Sequence, residues 1–130
     1  MENKTGNLTE AEWNVMEHLW KKSHLTGREL TDALEQERGW NRSTTLTLLR
    51  RMEAKGAVES RTEGGKKVFL PRICREDAVL AETEGFLNRV YQGSVSLMVS
   101  AMTQKQALSS SEISELYAML KDLEGGTEDA

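Results

Sequence analysis

Residues 41–55 read NRSTTLTLLRRMEAK, and on a helix of about 3.6 residues per turn they sort into two faces. Thr45, Leu48, Leu49 and Met52 fall on one stripe, the pattern of a core-facing side. The other side collects Ser43, Thr44, Leu46, Thr47, Arg50 and Arg51. An ordinary solvated helix face mixes charges of both signs, often as Glu–Lys pairs one turn apart. This face opens with hydroxyls, continues with arginines and meets no acid before Glu53. Small polar groups near a helix N-terminus reach base edges in a major groove, and arginines behind them reach guanine or phosphate. A solvated face with a chance run of hydroxyls is the plainer alternative.

Charge distribution supports the first reading. The formal net charge of −4 argues mildly against a polyanionic partner, but the charges are not evenly spread. From Arg38 to Arg75 there are ten basic residues against three acidic ones; from Glu76 onward there are three basic against ten acidic. One part suits a polyanion and the other suits something else. A chain of 130 residues allows one domain, or a small domain plus an oligomerisation element. No apolar run approaches the ~20 residues of a membrane span, and the N-terminus does not read as a signal peptide. With a single cysteine, Cys74, no intrachain disulfide is available, so a cytoplasmic setting is expected.

Outward from that stretch, helix-start signals repeat. Residues 1–7 are polar, without period, and read as a frayed start. Leu8-Thr9-Glu10-Ala11-Glu12-Trp13 combines a capping box, Thr9 with Glu12, and a hydrophobic staple, Leu8 with Trp13. Trp13, Met16, Leu19 and Trp20 then predict a first helix to about Lys22. The same signal at Leu25-Thr26 starts a second helix that buries Leu30, Ala33 and Leu34 and stops at Gly39. Trp40 leads to Asn41, the N-cap of the third helix, which Gly56 ends. The period then changes. Residues 57–62 and 67–71 flank Glu63-Gly64-Gly65-Lys66, predicting a β-hairpin. Three short helices and a hairpin make a winged helix-turn-helix, with Lys66 and Lys67 at the tip of the wing, placed to meet phosphate.

From Cys74 the pattern is helical again, with Ala78, Ala81, Phe86, Leu87, Val90 and Tyr91 on a helix ended by Gly93. Val95, Leu97, Met98, Val99, Ala101 and Met102 follow as a segment apolar nearly all round. Leu108-Ser109 opens a third capping box with Glu112, and Ile113, Leu116, Tyr117 and Leu120 form the last stripe. The expected fold is mainly α with a small β-hairpin. Residues 1–73 form a winged-helix DNA-binding domain, residues 74–124 a helical dimerisation domain, and residues 125–130 a disordered acidic tail. A segment apolar on all sides must be covered on several of them. The expected cover is a second copy of the chain, through Phe86, Leu87, Val90, Tyr91, Val95, Met98, Val99, Met102, Ile113, Leu116, Tyr117 and Leu120; packing back onto the same chain is the alternative.

Catalytic constellations are missing. His18 and His24 share no metal-ligand spacing with each other or with Cys74. Ser109–Ser111 is accounted for by helix capping, Gly64-Gly65 by a turn, and Glu82 and Glu84 lie on different helix faces. No enzyme, metal or cofactor is expected.

The residues together resemble the penicillinase-repressor (BlaI/MecI) family of winged-helix transcriptional regulators. The resemblance is carried by Leu8-Thr9-x-Ala11-Glu12-Trp13 with Trp20, by Gly39-Trp40, and by Thr44-x-x-Thr47-x-Leu49-x-Arg51-Met52-x-x-Lys55-Gly56. Phe86-Leu87-Asn88-Arg89-Val90-Tyr91-x-Gly93 and Leu108-Ser109-x-x-Glu112-Ile113-x-Glu115-Leu116 extend it over nearly the whole chain. It implies a dimeric repressor on double-stranded operator DNA with paired TACA/TGTA-type half-sites. Ser43, Thr44 and Thr47 then match base-facing positions, with Arg51 as the helix arginine. Relatives usually have Ser-Pro where this chain has Asn41-Arg42; Arg42 adds a charge near phosphate, and Leu46 is placed to touch a thymine methyl. The full expected DNA-contacting set is Arg42, Ser43, Thr44, Leu46, Thr47, Arg50, Arg51, Lys55, Lys66 and Lys67. The copper-responsive branch carries a C-terminal cysteine cluster that this chain lacks. The β-lactam branch is relieved by a sensor-linked protease, and the matched bond here is Ala101–Met102, where relatives more often have Asn or His before Phe. The competing expectation is a winged-helix protein–protein interaction module without specific DNA binding.

Overall fold

The computed structural model describes residues 8–105 and 108–129, so the expected frayed start at residues 1–7 lies outside the described residues. The elements run α1 (Glu10–Lys21), β1 (Leu25–Thr26), α2 (Gly27–Arg38), α3 (Arg42–Ala54), β2 (Val58–Glu63), β3 (Lys66–Pro71), α4 (Arg75–Tyr91), α5 (Val95–Gln104) and α6 (Ser110–Asp129). Local chemistry sets the helix starts. Thr9 accepts the Glu12 amide at 3.1 Å while Glu12 accepts the Thr9 amide at 2.9 Å, and Thr26 with Glu29 repeats the exchange. Each such cap contributes about 1 kcal/mol. Gly39, at φ 74°, closes α2 in the left-handed conformation that glycine adopts without steric cost.

The wing forms as expected. Gly64 and Gly65, at φ 57° and 79°, make the two-residue turn, and Glu63 pairs with Lys66 across it. A third strand was not expected. Leu25 and Thr26 pair with Phe69 and Val68, giving an antiparallel sheet in the order β1-β3-β2. Thr26 therefore belongs to a strand and caps a helix at once, and the strong cap signal hides the short strand in the sequence.

Contacts divide the chain into two compact units, Met1–Gly85 and Phe86–Ala130. In the winged unit Val15, Met16, Leu19, Leu30, Leu34, Leu49 and Met52 are sealed from solvent with Val58, Phe69 and Ile73. Each large apolar side chain buried this way contributes about 1.5–3 kcal/mol. Trp13 and Trp20 are only partly buried; they stack edge to face at 5.2 Å, and Trp20 donates to the Ile73 carbonyl at 2.8 Å. The indole N–H needs a polar partner, which keeps such rings near the rim of a core. Ala33 is likewise half-buried, and Thr31 takes the sealed position.

Two expected boundaries move. The division falls at Gly85 rather than after residue 73, because Ala78 is buried in the winged core and Arg75 is tied to Glu17 of α1 at 3.1 Å. Helix α6 continues to Asp129, past the expected end at residue 124 and into the segment read as a disordered tail. Once nucleated, a helix adds one hydrogen bond per residue, and no proline interrupts it there. In the second unit Ser94 caps α5 and Ser109 caps α6 through its exchange with Glu112.

Candidate nucleic-acid interface

Helix α3 begins where the Asn41 side-chain oxygen accepts the Thr44 amide at 2.8 Å. Its buried stripe is Thr45, Leu48, Leu49 and Met52, as the periodicity predicts. That anchor fixes what remains outside. At about 100° per residue, Ser43, Thr47 and Arg50 form the crest of the exposed side, with Thr44 and Arg51 on one flank and Leu46 and Glu53 on the other.

The first flank borders an open groove lined by Trp40, Ser43, Thr44, Thr47, Leu48 and Arg51 together with Ala11. Hydroxyls, an aromatic edge and a guanidinium thus share one concave surface. Trp40 was absent from the expected contact set. It is half-buried against the core cluster, and its signal was a large aromatic placed immediately before a helix cap.

The second flank faces the wing. A Cβ built on Gly27 would lie 3.7 Å from both Leu46 and Phe69, so these side chains converge at the start of α2. Leu46, expected at a thymine methyl, is half-buried and packed on the core cluster. Apolar area near Phe69 outcompetes exposure at that edge.

The cations separate by their partners. Lys55, expected at phosphate, donates to Glu12 at 2.7 Å. Glu12 is 2% exposed, and a carboxylate so placed requires a cation, so Lys55 is occupied in joining the end of α3 to α1. Lys67 stands 4.0 Å from Glu53 and 5.4 Å over the Phe69 ring. Arg61 and Arg72 both approach Glu59. Among the described residues, Arg42, Arg50, Arg51 and Lys66 have no carboxylate partner within ion-pair distance, and all four are exposed on α3 or the turn of the wing.

The expected dimerisation residues all belong to the second unit. Phe86, Val90, Val95, Met102, Ile113, Tyr117 and Leu120 are exposed, and Leu87, Tyr91, Met98, Val99 and Leu116 are half-buried. Ala101 and Met102 sit within α5, so that peptide bond is helical. Among the described residues no cluster of histidine, cysteine or carboxylates could hold a metal ion, and no helix is long and apolar enough to cross a membrane.

Comparisons with known proteins agree with this geometry. A family model described as penicillinase repressor matches residues 8–122. The penicillinase repressor of Bacillus licheniformis is 34% identical over 119 residues, covering 92% of this chain and 93% of that protein. The methicillin resistance regulatory protein MecI of Staphylococcus aureus (strain N315) is 28% identical, covering 92% of this chain and 98% of its own length. Among solved structures, the DNA-binding domain of the repressor BlaI is similar with a TM-score of 0.52 at 31% identity, covering 59% of this chain and 93% of that one. The Bacillus licheniformis BlaI monomeric form in complex with the blaP half-operator matches equally, with a TM-score of 0.52.

Proposed function

The chain belongs to the penicillinase-repressor family and is a DNA-binding repressor, not an enzyme, and from that premise we propose that it acts as a homodimer on operators with paired half-sites. In this reading α3 lies in the major groove. Ser43, Thr44 and Thr47 meet base edges, Arg50 and Arg51 meet guanine or phosphate, and Arg42 and Lys66 meet the backbone. The observation that carries it is a set of exposed cations, without a carboxylate partner among the described residues, around an acid-free crest with two hydroxyls, on a domain whose fold matches one solved with a half-operator. Trp40 lines the same groove as these hydroxyls.

Dimerisation is supported by what the second unit leaves uncovered. Helix α5 has no buried residue, although it carries no charge and six of its ten residues are apolar. Val95, Met98, Val99 and Met102 line a groove with Leu116 and Met119 of α6. A second copy is the simplest cover, and it also supplies the second reading head that a paired site requires. Relief by a sensor-linked protease cutting Ala101–Met102 belongs to the same reading. Since that bond lies inside α5, the helix must open locally before a protease can take the chain in extended form.

The test is fluorescence anisotropy with duplexes carrying paired TACA/TGTA half-sites and with a scrambled control, at two salt concentrations. Preference for the paired site of about a thousandfold, with a steep salt slope, is the expected result. Arg51→Ala should cost about 1–3 kcal/mol of specific binding. Equal weak binding to both duplexes would overturn the operator reading and return the surface to a protein-partner role.

A further inference from the structure

Glu53 is the one acid on α3, and it sits in the last turn, where the helix dipole disfavours an anion. On a surface suited to a polyanion its charge is also unfavourable to binding. Its contacts give it a task. Its Oε2 accepts the Ser60 hydroxyl at 2.6 Å, and its Oε1 stands 4.0 Å from Lys67 Nζ. Ser60 on β2 is the register partner of Phe69 on β3, and Lys67 extends over the same ring. One carboxylate of the helix therefore touches both strands of the wing. It does so on the flank of α3 opposite the Trp40 groove.

We propose that Glu53 is a positioning residue for DNA binding, which anchors the wing to the recognition helix through Ser60 and serves as an internal counter-anion for Lys67 that a phosphate replaces. This rests on the reading of α3 and the wing as the DNA-contacting surface. The Ser60 hydrogen bond fixes the spacing between groove and backbone contacts. The Lys67 pairing lowers the gain from any phosphate, since the lysine arrives already partly neutralised. Wing contact is thereby weakened on all sequences, and specificity depends on helix and wing engaging together.

The experiment measures anisotropy of the full chain against operator and scrambled duplexes across salt, for wild type, Glu53→Gln, Lys67→Ala, the double variant and Ser60→Ala. Thermal melts accompany each. The glutamine amide oxygen still accepts from Ser60, so Glu53→Gln retains the fold. It should tighten binding to both duplexes several-fold and steepen the log–log salt slope by about one unit. In the Lys67→Ala background the same change should leave the slope unaltered. Ser60→Ala should lower the operator-to-scramble ratio several-fold at unchanged slope. An equal Glu53→Gln effect with and without Lys67, or none, would overturn the counter-anion role; an unchanged ratio in Ser60→Ala would overturn the anchoring role. Wild-type protein showing no operator preference would instead sink the operator reading, while slopes on the scrambled duplex still decide the Glu53–Lys67 coupling.

Discussion

In the winged unit, Met16, Leu19, Leu30, Leu34, Leu49 and Met52 are sealed by neighbours from the same chain. In the helical unit, no residue of α5 is more than half-buried, and Leu97, Tyr117 and Leu123 are 55%, 71% and 66% exposed. Both units use the same local devices: reciprocal caps at Thr9, Thr26 and Ser109 start helices in each. What differs is where the apolar stripe ends up. Capping fixes where a helix begins, but most of a helix's stability comes from burying its face. The winged unit completes its core, while the helical unit carries part of a core whose complement lies on another molecule in the reading proposed above.

The largest expected effect comes from breaking that second core. Met98→Asp combined with Leu116→Asp places two charges in the groove between α5 and α6. Sedimentation equilibrium should show monomers. Affinity for a paired site should fall about a hundredfold or more, because linked half-site contacts become separate events. Binding to a single half-site should hardly change. A variant that remains dimeric would place the interface elsewhere.

A smaller effect separates a structural cation from those proposed to face DNA within the winged unit. Lys55→Ala leaves the buried Glu12 carboxylate with the Thr9 amide but without its cation, at a cost of about 2 kcal/mol of stability. Urea unfolding followed by tryptophan fluorescence reads this unit alone, since Trp13, Trp20 and Trp40 all lie in it. Arg51→Ala should do the reverse, weakening specific binding with stability intact. If Lys55→Ala lowers DNA affinity at unchanged stability, its pairing with Glu12 is incidental.

These two lysine and arginine outcomes mark the limit of what periodicity reveals. The helical period placed Thr45 on the core side of α3 despite its hydroxyl, and the structure buries it with Oγ1 unpartnered among the described residues. Cap signals located the starts of α1, α2, α3 and α6 because those interactions span three residues. What could not be read was long-range. Lys55 meets Glu12 across 43 residues of sequence, and Glu53 meets Lys67 only once the wing folds back. Neither pairing leaves a local pattern, so every base near α3 looked equally available. Leu46 shows the same limit: its angle on the helix predicts exposure, but Gly27 and Phe69 arrive from elsewhere to cover it. Strand β1 was lost for a different reason, being two residues long and overlapping a cap.

The smallest expected effect is a pH dependence that acts on the winged unit. The Arg75 guanidinium, with the Trp13 indole N–H and the charges of Arg75 and Lys21, holds the Glu17 carboxyl below its usual value of 4.5, against a burial contribution that raises it. Glu29 and Glu37 are lowered too, by the Thr26 amide and by His18 respectively, and both lie in the same unit. A depressed folded-state value means the unfolded chain binds the proton more readily. The stabilisation is therefore complete above about pH 4.5 and is lost as pH falls through the folded value. Glu17 and Arg75 are both substantially solvent-exposed, so screening keeps the contribution small. Glu17→Gln should flatten the stability–pH slope below that point, by tryptophan-monitored urea unfolding, without altering the sedimentation behaviour. An unchanged slope would mean that the Glu17–Arg75 link, which joins the start of α4 to α1, does not hold α4 to the winged unit through its charge.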